Sequence, residues 1–102
     1  MRIIALSTST LKIFWENDPK DLDSKESTMA WYHHALKADW DTPKKVKADF
    51  GNASILKDGR VVFNISGNKY RLIVWINYEY RIIYIRFIGT HKQYDKVDAQ
   101  II

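Results

Sequence analysis

A strand-like run, "RIIYIRFIG", ends at Gly89, and directly after it stand Thr90, His91, Lys92, Tyr94 and Asp95. Strand ends are rigid and the loops leaving them are open to water. An imidazole there is held in place and can still exchange a proton near neutral pH. Two arginines, Arg71 and Arg86, stand on the preceding strand-like runs. A guanidinium holds a phosphate by charge-assisted, bidentate hydrogen bonds. A neutral imidazole beside a bound phosphodiester can take the proton from a ribose 2′-hydroxyl, or give one to the leaving oxygen. Guanidinium groups would stabilise the charge growing on the pentacoordinate phosphorus. Such cleavage needs no metal, and the sequence offers no convincing metal cluster. His33 and His34 project about 100° apart on a helix, so they do not chelate one ion from one face.

These groups must be positioned by strands, on which side chains alternate between faces. In "RVVFNI" one set is Arg60, Val62 and Asn64, and the other is Val61, Phe63 and Ile65. In "KYRLIVWIN" Lys69, Arg71, Ile73, Trp75 and Asn77 oppose Tyr70, Leu72, Val74 and Ile76. In "RIIYIRFIG" Ile82, Tyr84, Arg86 and Ile88 oppose Ile83, Ile85 and Phe87. Each strand thus has an apolar set for a core and a mixed set. With the mixed sets on one face, Asn64, Arg71 and Arg86 form a basic patch, and His91 and Tyr94 lie just past its rim. Trp75 is the tryptophan on that face, a candidate for stacking on a nucleobase.

Ahead of the strands the period is helical. "STSTLKIFW" carries Leu11, Phe14 and Trp15 at i, i+3, i+4, and the polar run "ENDPKDLDSKE" interrupts it. A second helix is expected with Met29, His33, Leu36 and Trp40 on its buried face, which makes His33 a core residue. Thr42-Pro43 starts a short third helix, with Thr as N-cap, Pro at the first position, Val46 and Phe50 inward and Gly51 as the stop. Asp58-Gly59 between "ASILK" and "RVVFNI" is a tight hairpin signal, and "SGN" is a second turn. With "RIIAL" as a first strand, the order predicts an α+β domain, its N-terminal helices packed on one face of a mainly antiparallel sheet.

The 102 residues suit one domain. The absence of cysteine excludes a disulfide scaffold, a thiolate zinc site and a cysteine nucleophile. The apolar start, "MRIIALSTST", is too short for a signal peptide or membrane span, so the chain reads as cytoplasmic. Residues 1–50 carry eight Lys/Arg and eight Asp/Glu, whereas residues 51–102 carry eight against four. The net charge of +4 therefore lies wholly in the strand half, which suits a polyanionic partner and, on charge alone, equally a solubilising surface.

Four ordered motifs, "ADWDTP", "ASILKDGRVVFNI", "GNKYRL" and "IYIRFIGTHKQYDKVDA", resemble the HigB toxins, messenger-RNA interferases with a RelE-like fold. The resemblance runs from roughly Met1 to the C-terminus and is densest from Ala53 to Ala99. It implies a single RelE-like toxin domain over residues 1–102. The implied activity is a translation-dependent endoribonuclease without a cofactor, which cuts mRNA in the ribosomal decoding site. The implied partner is a HigA-type antitoxin with a helix-turn-helix, which neutralises the toxin and contacts operator DNA; no membrane is involved. By position, the "YRL" arginine of such toxins matches Arg71. The basic or histidine residue two past the last strand's glycine matches His91. An assisting residue further on matches Tyr94, with Arg86 as a further catalytic candidate. The strand before "YRL" departs from the pattern, with Asn64 where some members carry a lysine. Lys57, Arg60 and Lys69 at the hairpin ends, with Trp75 and Lys92, are then the RNA-binding candidates. A non-catalytic RNA- or ribosome-binding module that blocks translation by occupancy would use the same face. It would not need a titrating group at His91. Asp95 and Asp98 are read as capping or orienting the tail.

Overall fold

A computed structural model describes residues 1–5, 24–67 and 69–100. The helix expected over "STSTLKIFW" lies outside them. The described elements are β1 (Arg2–Ala5), α1 (Ser24–Lys37), α2 (Pro43–Asp49), β2 (Ser54–Ile55), β3 (Arg60–Ile65), β4 (Tyr70–Asn77), β5 (Ile82–Thr90) and α3 (His91–Tyr94). The strands form one sheet in the order β1-β5-β4-β3-β2. Among the described residues, only the β1–β5 pair is parallel. The fold is therefore α+β with a mixed sheet.

Local signals account for several of these elements. The β2–β3 turn closes through the Arg60 amide, which donates to the Lys57 carbonyl at 3.1 Å. Asp58 and Gly59 take φ of 55° and 80°. Positive φ at both central residues is the hairpin geometry that Asp-Gly favours. A Cβ on Gly59 would stand 2.6 Å from the Ile76 carbonyl oxygen, so no larger residue fits. α2 begins with Thr42 as N-cap and Pro43 at its first turn, and Val46 is its buried residue.

The main buried cluster joins residues of the sheet to residues of the first two described helices. Trp31 and Ala35 of α1 and Val46 of α2 join Val61, Phe63, Ile65, Tyr70, Leu72, Val74, Ile76, Ile83, Ile85 and Ile88 in one buried cluster. Phe63 is the hub of its aromatic part, with ring centroids 5.3 Å from Trp31, 5.9 Å from Trp40 and 5.2 Å from Phe50. Removing that ring leaves a cavity that the rigid sheet cannot close. Phe63→Ala is expected to cost about 3–5 kcal/mol, read as a lower urea midpoint. A midpoint shift worth under about 1 kcal/mol would show that the cluster repacks.

The buried face of α1 is not the one its periodicity suggested. Thr28, Trp31 and Ala35 are buried, whereas His33 and Leu36 are exposed. Trp40 is buried but follows the end of α1 at Lys37. The small Ala35 side chain lets the helix approach the sheet closely while Trp31 fills the space beside it. His33 is thus a surface residue.

Asp49 joins α2 to the α1 end of the core. It accepts from the Trp40 indole at 2.9 Å and lies 3.0 Å from His34 Nε2. The His34 hydrogen bond, and then the Trp40 one, hold its carboxyl below the usual carboxylate range. A depressed carboxylate stabilises the fold above its unfolded-state pKa of about 3.9, and that stability is lost as pH falls through the native value. Asp49→Asn should therefore flatten the acid limb of a thermal-stability profile between neutral pH and pH 3. An unchanged slope would show that the interaction contributes nothing.

Candidate active site

The opposite sheet face is built from Arg60, Val62 and Asn64 of β3, whose register partners on β4 are Trp75, Ile73 and Arg71. β5 continues these rows with Tyr84, Phe87 and Gly89. Strict alternation fails on β5 because the register with β4 shifts between Ile73 and Val74. A bulge places one extra residue opposite its partner strand and resets the faces beyond it. Ile88, expected on the mixed face, is consequently in the main core, and Phe87, expected in the core, is on the mixed face. Arg86 stands at the irregularity, three positions before Gly89, the partner of Arg71. The patch of Asn64, Arg71 and Arg86 read from alternation is therefore not contiguous.

The C-terminal segment crosses this face. Tyr94, Val97 and Ala99 pack with Leu56 on Val62, Ile73 and Phe87. Gln100 pins the segment to the hairpin: its side chain donates to the Lys57 carbonyl at 2.7 Å and accepts from the Lys57 amide at 2.8 Å. The middle row of the face is thus covered, and the polar groups fall into two corners.

One corner gathers three sequence candidates. The Arg71 guanidinium carbon lies 5.8 Å from the Tyr94 ring centroid, and the His91 and Tyr94 rings are 6.3 Å apart. His91 follows β5 without a linker because Thr90 ends the strand and caps α3. The Thr90 hydroxyl accepts from the Gln93 amide at 3.2 Å, and the Gln93 side chain accepts from the Thr90 amide at 2.8 Å. The bare Gly89 leaves room for this, since a Cβ there would meet Gln93 Oε1 at 2.6 Å. The His91 amide donates to the Lys69 carbonyl at 3.1 Å, which ties α3 to the β3–β4 turn. On the ring, Nδ1 lies 3.2 Å from Asp95 Oδ2. A carboxylate only accepts, so an Nδ1–H turned to Asp95 would leave the lone pair of a neutral ring on Nε2. The side chains of His91 and Asp95 are more than half exposed, so a large substrate can reach them.

The other candidates stand elsewhere. Asn64 faces Arg71 in register, but its amide donates to the Asn52 carbonyl at 3.2 Å. It lines an open pocket of about 360 Å³ with Trp31, His34, Phe50 and Ile65. Lys69 and Lys92 are exposed beside the His91 corner, on the turn before β4 and on α3. Arg60 and Trp75 pair in register at the far end of β3 and β4, and Lys57 precedes them on the hairpin. Arg71 and Trp75 are four residues apart on β4, about 13 Å. Asp95 as the partner of His91 follows from an i, i+4 spacing on one helical turn, a signal legible in the sequence. Thr90-x-x-Gln93 is a capping box equally legible there. The Gln100 clasp has no local signature. Among the described residues, no three His, Cys, Asp or Glu side chains converge as a metal site would require, and no helix is long and apolar enough to cross a membrane.

Residues 24–97 match the family HigB_toxin, described as the RelE-like toxic component of a toxin-antitoxin system. Over 55 residues the chain is 38% identical to the mRNA interferase toxin HigB of Escherichia coli (strain K12), covering 52% of this chain and 53% of that protein. The same figures relate it to proteins named mRNA interferase HigB in Escherichia coli O157:H7 and Shigella flexneri. The chain spans about half the length of the curated relatives it matches.

Proposed function

The chain belongs to the HigB toxin family, the RelE-like toxic components of toxin-antitoxin systems, and we propose that it is an endoribonuclease that cuts messenger RNA. The observation that carries this reading is the corner where Arg71, Tyr94 and His91 meet, with Asp95 on the histidine's Nδ1. It combines a phosphate-binding cation, a proton-transfer group and the group that orients it. The relatives named mRNA interferases supply the substrate class.

In the proposed mechanism the RNA's own 2′-hydroxyl is the nucleophile. It is already adjacent to the phosphate, so the entropy cost of bringing it there is largely removed. His91 Nε2 accepts its proton, or in protonated form gives one to the departing 5′-oxygen. Arg71 neutralises the phosphorane oxygens, and Tyr94 holds the guanidinium by lying against it. The 2′-oxygen–phosphorus bond forms as the bond to the 5′-oxygen breaks. The products are a 2′,3′-cyclic phosphate and a 5′-hydroxyl, and no metal takes part. The same proposal covers cutting on the ribosome, a single toxin domain, a cytoplasmic setting and a HigA-type antitoxin that carries the contact with operator DNA.

The test is an mRNA with 2′-deoxyribose at one mapped cut position. It should resist cleavage there while neighbouring sites are cut normally. Cleavage at the deoxy position would overturn the mechanism. Translation arrest with intact mRNA would favour a module that blocks the ribosome by occupancy.

A further inference from the structure

On the other side of the C-terminal segment, the sheet face carries a group of residues that the chemistry at His91 does not use. Trp75 and Tyr84 are partners across β4 and β5, and their rings stack with centroids 4.9 Å apart and planes 27° from parallel. Arg60 is the β3 partner of Trp75, and Arg86 follows Tyr84 by two residues on β5, at the irregularity and directly before Phe87. All four side chains are half-buried. The Nε of Arg60 is buried and has no hydrogen-bond partner. Among the described residues, neither guanidinium is paired with a carboxylate. A shielded cationic donor is normally given an acceptor, so the unpartnered Arg60 Nε points to an acceptor from outside the chain.

We propose that Arg60, Trp75, Tyr84 and Arg86 form a second RNA subsite, which takes a nucleobase and a flanking phosphate of the strand cut at the His91 corner. The proposal rests on the nuclease reading above and adds to it where the strand is gripped away from the cut. The observations fit single-stranded RNA specifically. A stack of two aromatic rings can be extended by a base of any sequence, and guanidinium groups on both sides match the phosphates that flank it. The distance to Arg71, about 13 Å along β4, is within reach of a few extended nucleotides. The segment from Lys96 to Gln100 would then be a ridge between the two grips, so the strand passes over it. On this reading Arg86 binds RNA and does not touch the scissile phosphate.

The test uses an mRNA carrying 4-thiouridine near a mapped cut site, alone and on programmed ribosomes, with His91→Gln protein so that the RNA survives. After irradiation, crosslinks from a nucleotide displaced from the cut should map to Trp75 or Tyr84. In the otherwise parental protein, Arg60→Gln with Tyr84→Leu should raise KM about tenfold and leave kcat near parental, while Tyr84→Phe, which keeps the ring, should behave as parental. Crosslinks confined to α3 and its surroundings, or an unchanged KM in the double variant, would overturn the subsite. So would a double variant that loses antitoxin binding with parental RNA kinetics, because the face would then be a protein interface. Cleavage by the parental protein reports separately on the nuclease reading.

Discussion

His91→Gln is expected to give a folded protein that still binds its RNA and has lost most of its cleavage, by about 10²–10⁴-fold. Glutamine is of similar reach and hydrogen-bonds, but it neither accepts nor releases a proton near neutral pH. The substitution therefore isolates proton transfer from packing. The site allows this separation because His91 is exposed and belongs to neither apolar cluster. Its tie to the sheet, the amide bonded to the Lys69 carbonyl, is made by backbone and survives the change. Rates should be measured at saturating RNA, with thermal unfolding as the control for folding. A glutamine variant that cuts at the parental rate would leave His91 as a loop residue. Asp95→Asn provides a graded companion. It removes the charge that faces Nδ1 and leaves the imidazole in place, so a smaller loss is expected.

Arg71→Ala should lower the rate of cleavage by about a hundredfold, the effect of losing one charged donor to the transition state. The argument again depends on where the side chain stands. β4 directs Leu72 and Val74 into the main core, and Arg71 points from the opposite face toward Tyr94. Truncating it leaves the main core untouched, so the variant is expected to fold. Arg71→Lys sharpens the test. It keeps the charge but loses the planar fork, so activity between that of parent and alanine variant would indicate bidentate phosphate contact. A folded alanine variant with parental cleavage would remove Arg71 from the site.

Much of this arrangement could be read along the chain. The Asp58-Gly59 turn, the Thr42-Pro43 helix start, the strand runs and the basic second half all rest on signals a few residues long. The same is true of His91 at a strand end. Such features depend on backbone preference and on period, which are carried by the residues themselves. The resemblance to HigB toxins likewise followed from ordered motifs, and the family match over residues 24–97 agrees with it.

Other features depended on contacts between segments far apart in sequence. Nothing local marks the irregularity at Arg86 that sends Ile88 inward and Phe87 outward, because a bulge is a property of two strands in register. The buried face of α1 was set by how Trp31 and Ala35 meet Phe63 and its neighbours, and a helical period alone offers more than one apolar stripe. The path of the C-terminal segment was decided by Gln100 finding the Lys57 backbone, 43 residues away, and by Val97 and Ala99 covering Ile73. That crossing divides the basic face and separates Arg60 and Trp75 from His91. The residue types able to do the chemistry were thus determined by the sequence alone. Which of them share a corner was decided by tertiary structure, since register and docking minimise exposed apolar surface over the whole chain at once.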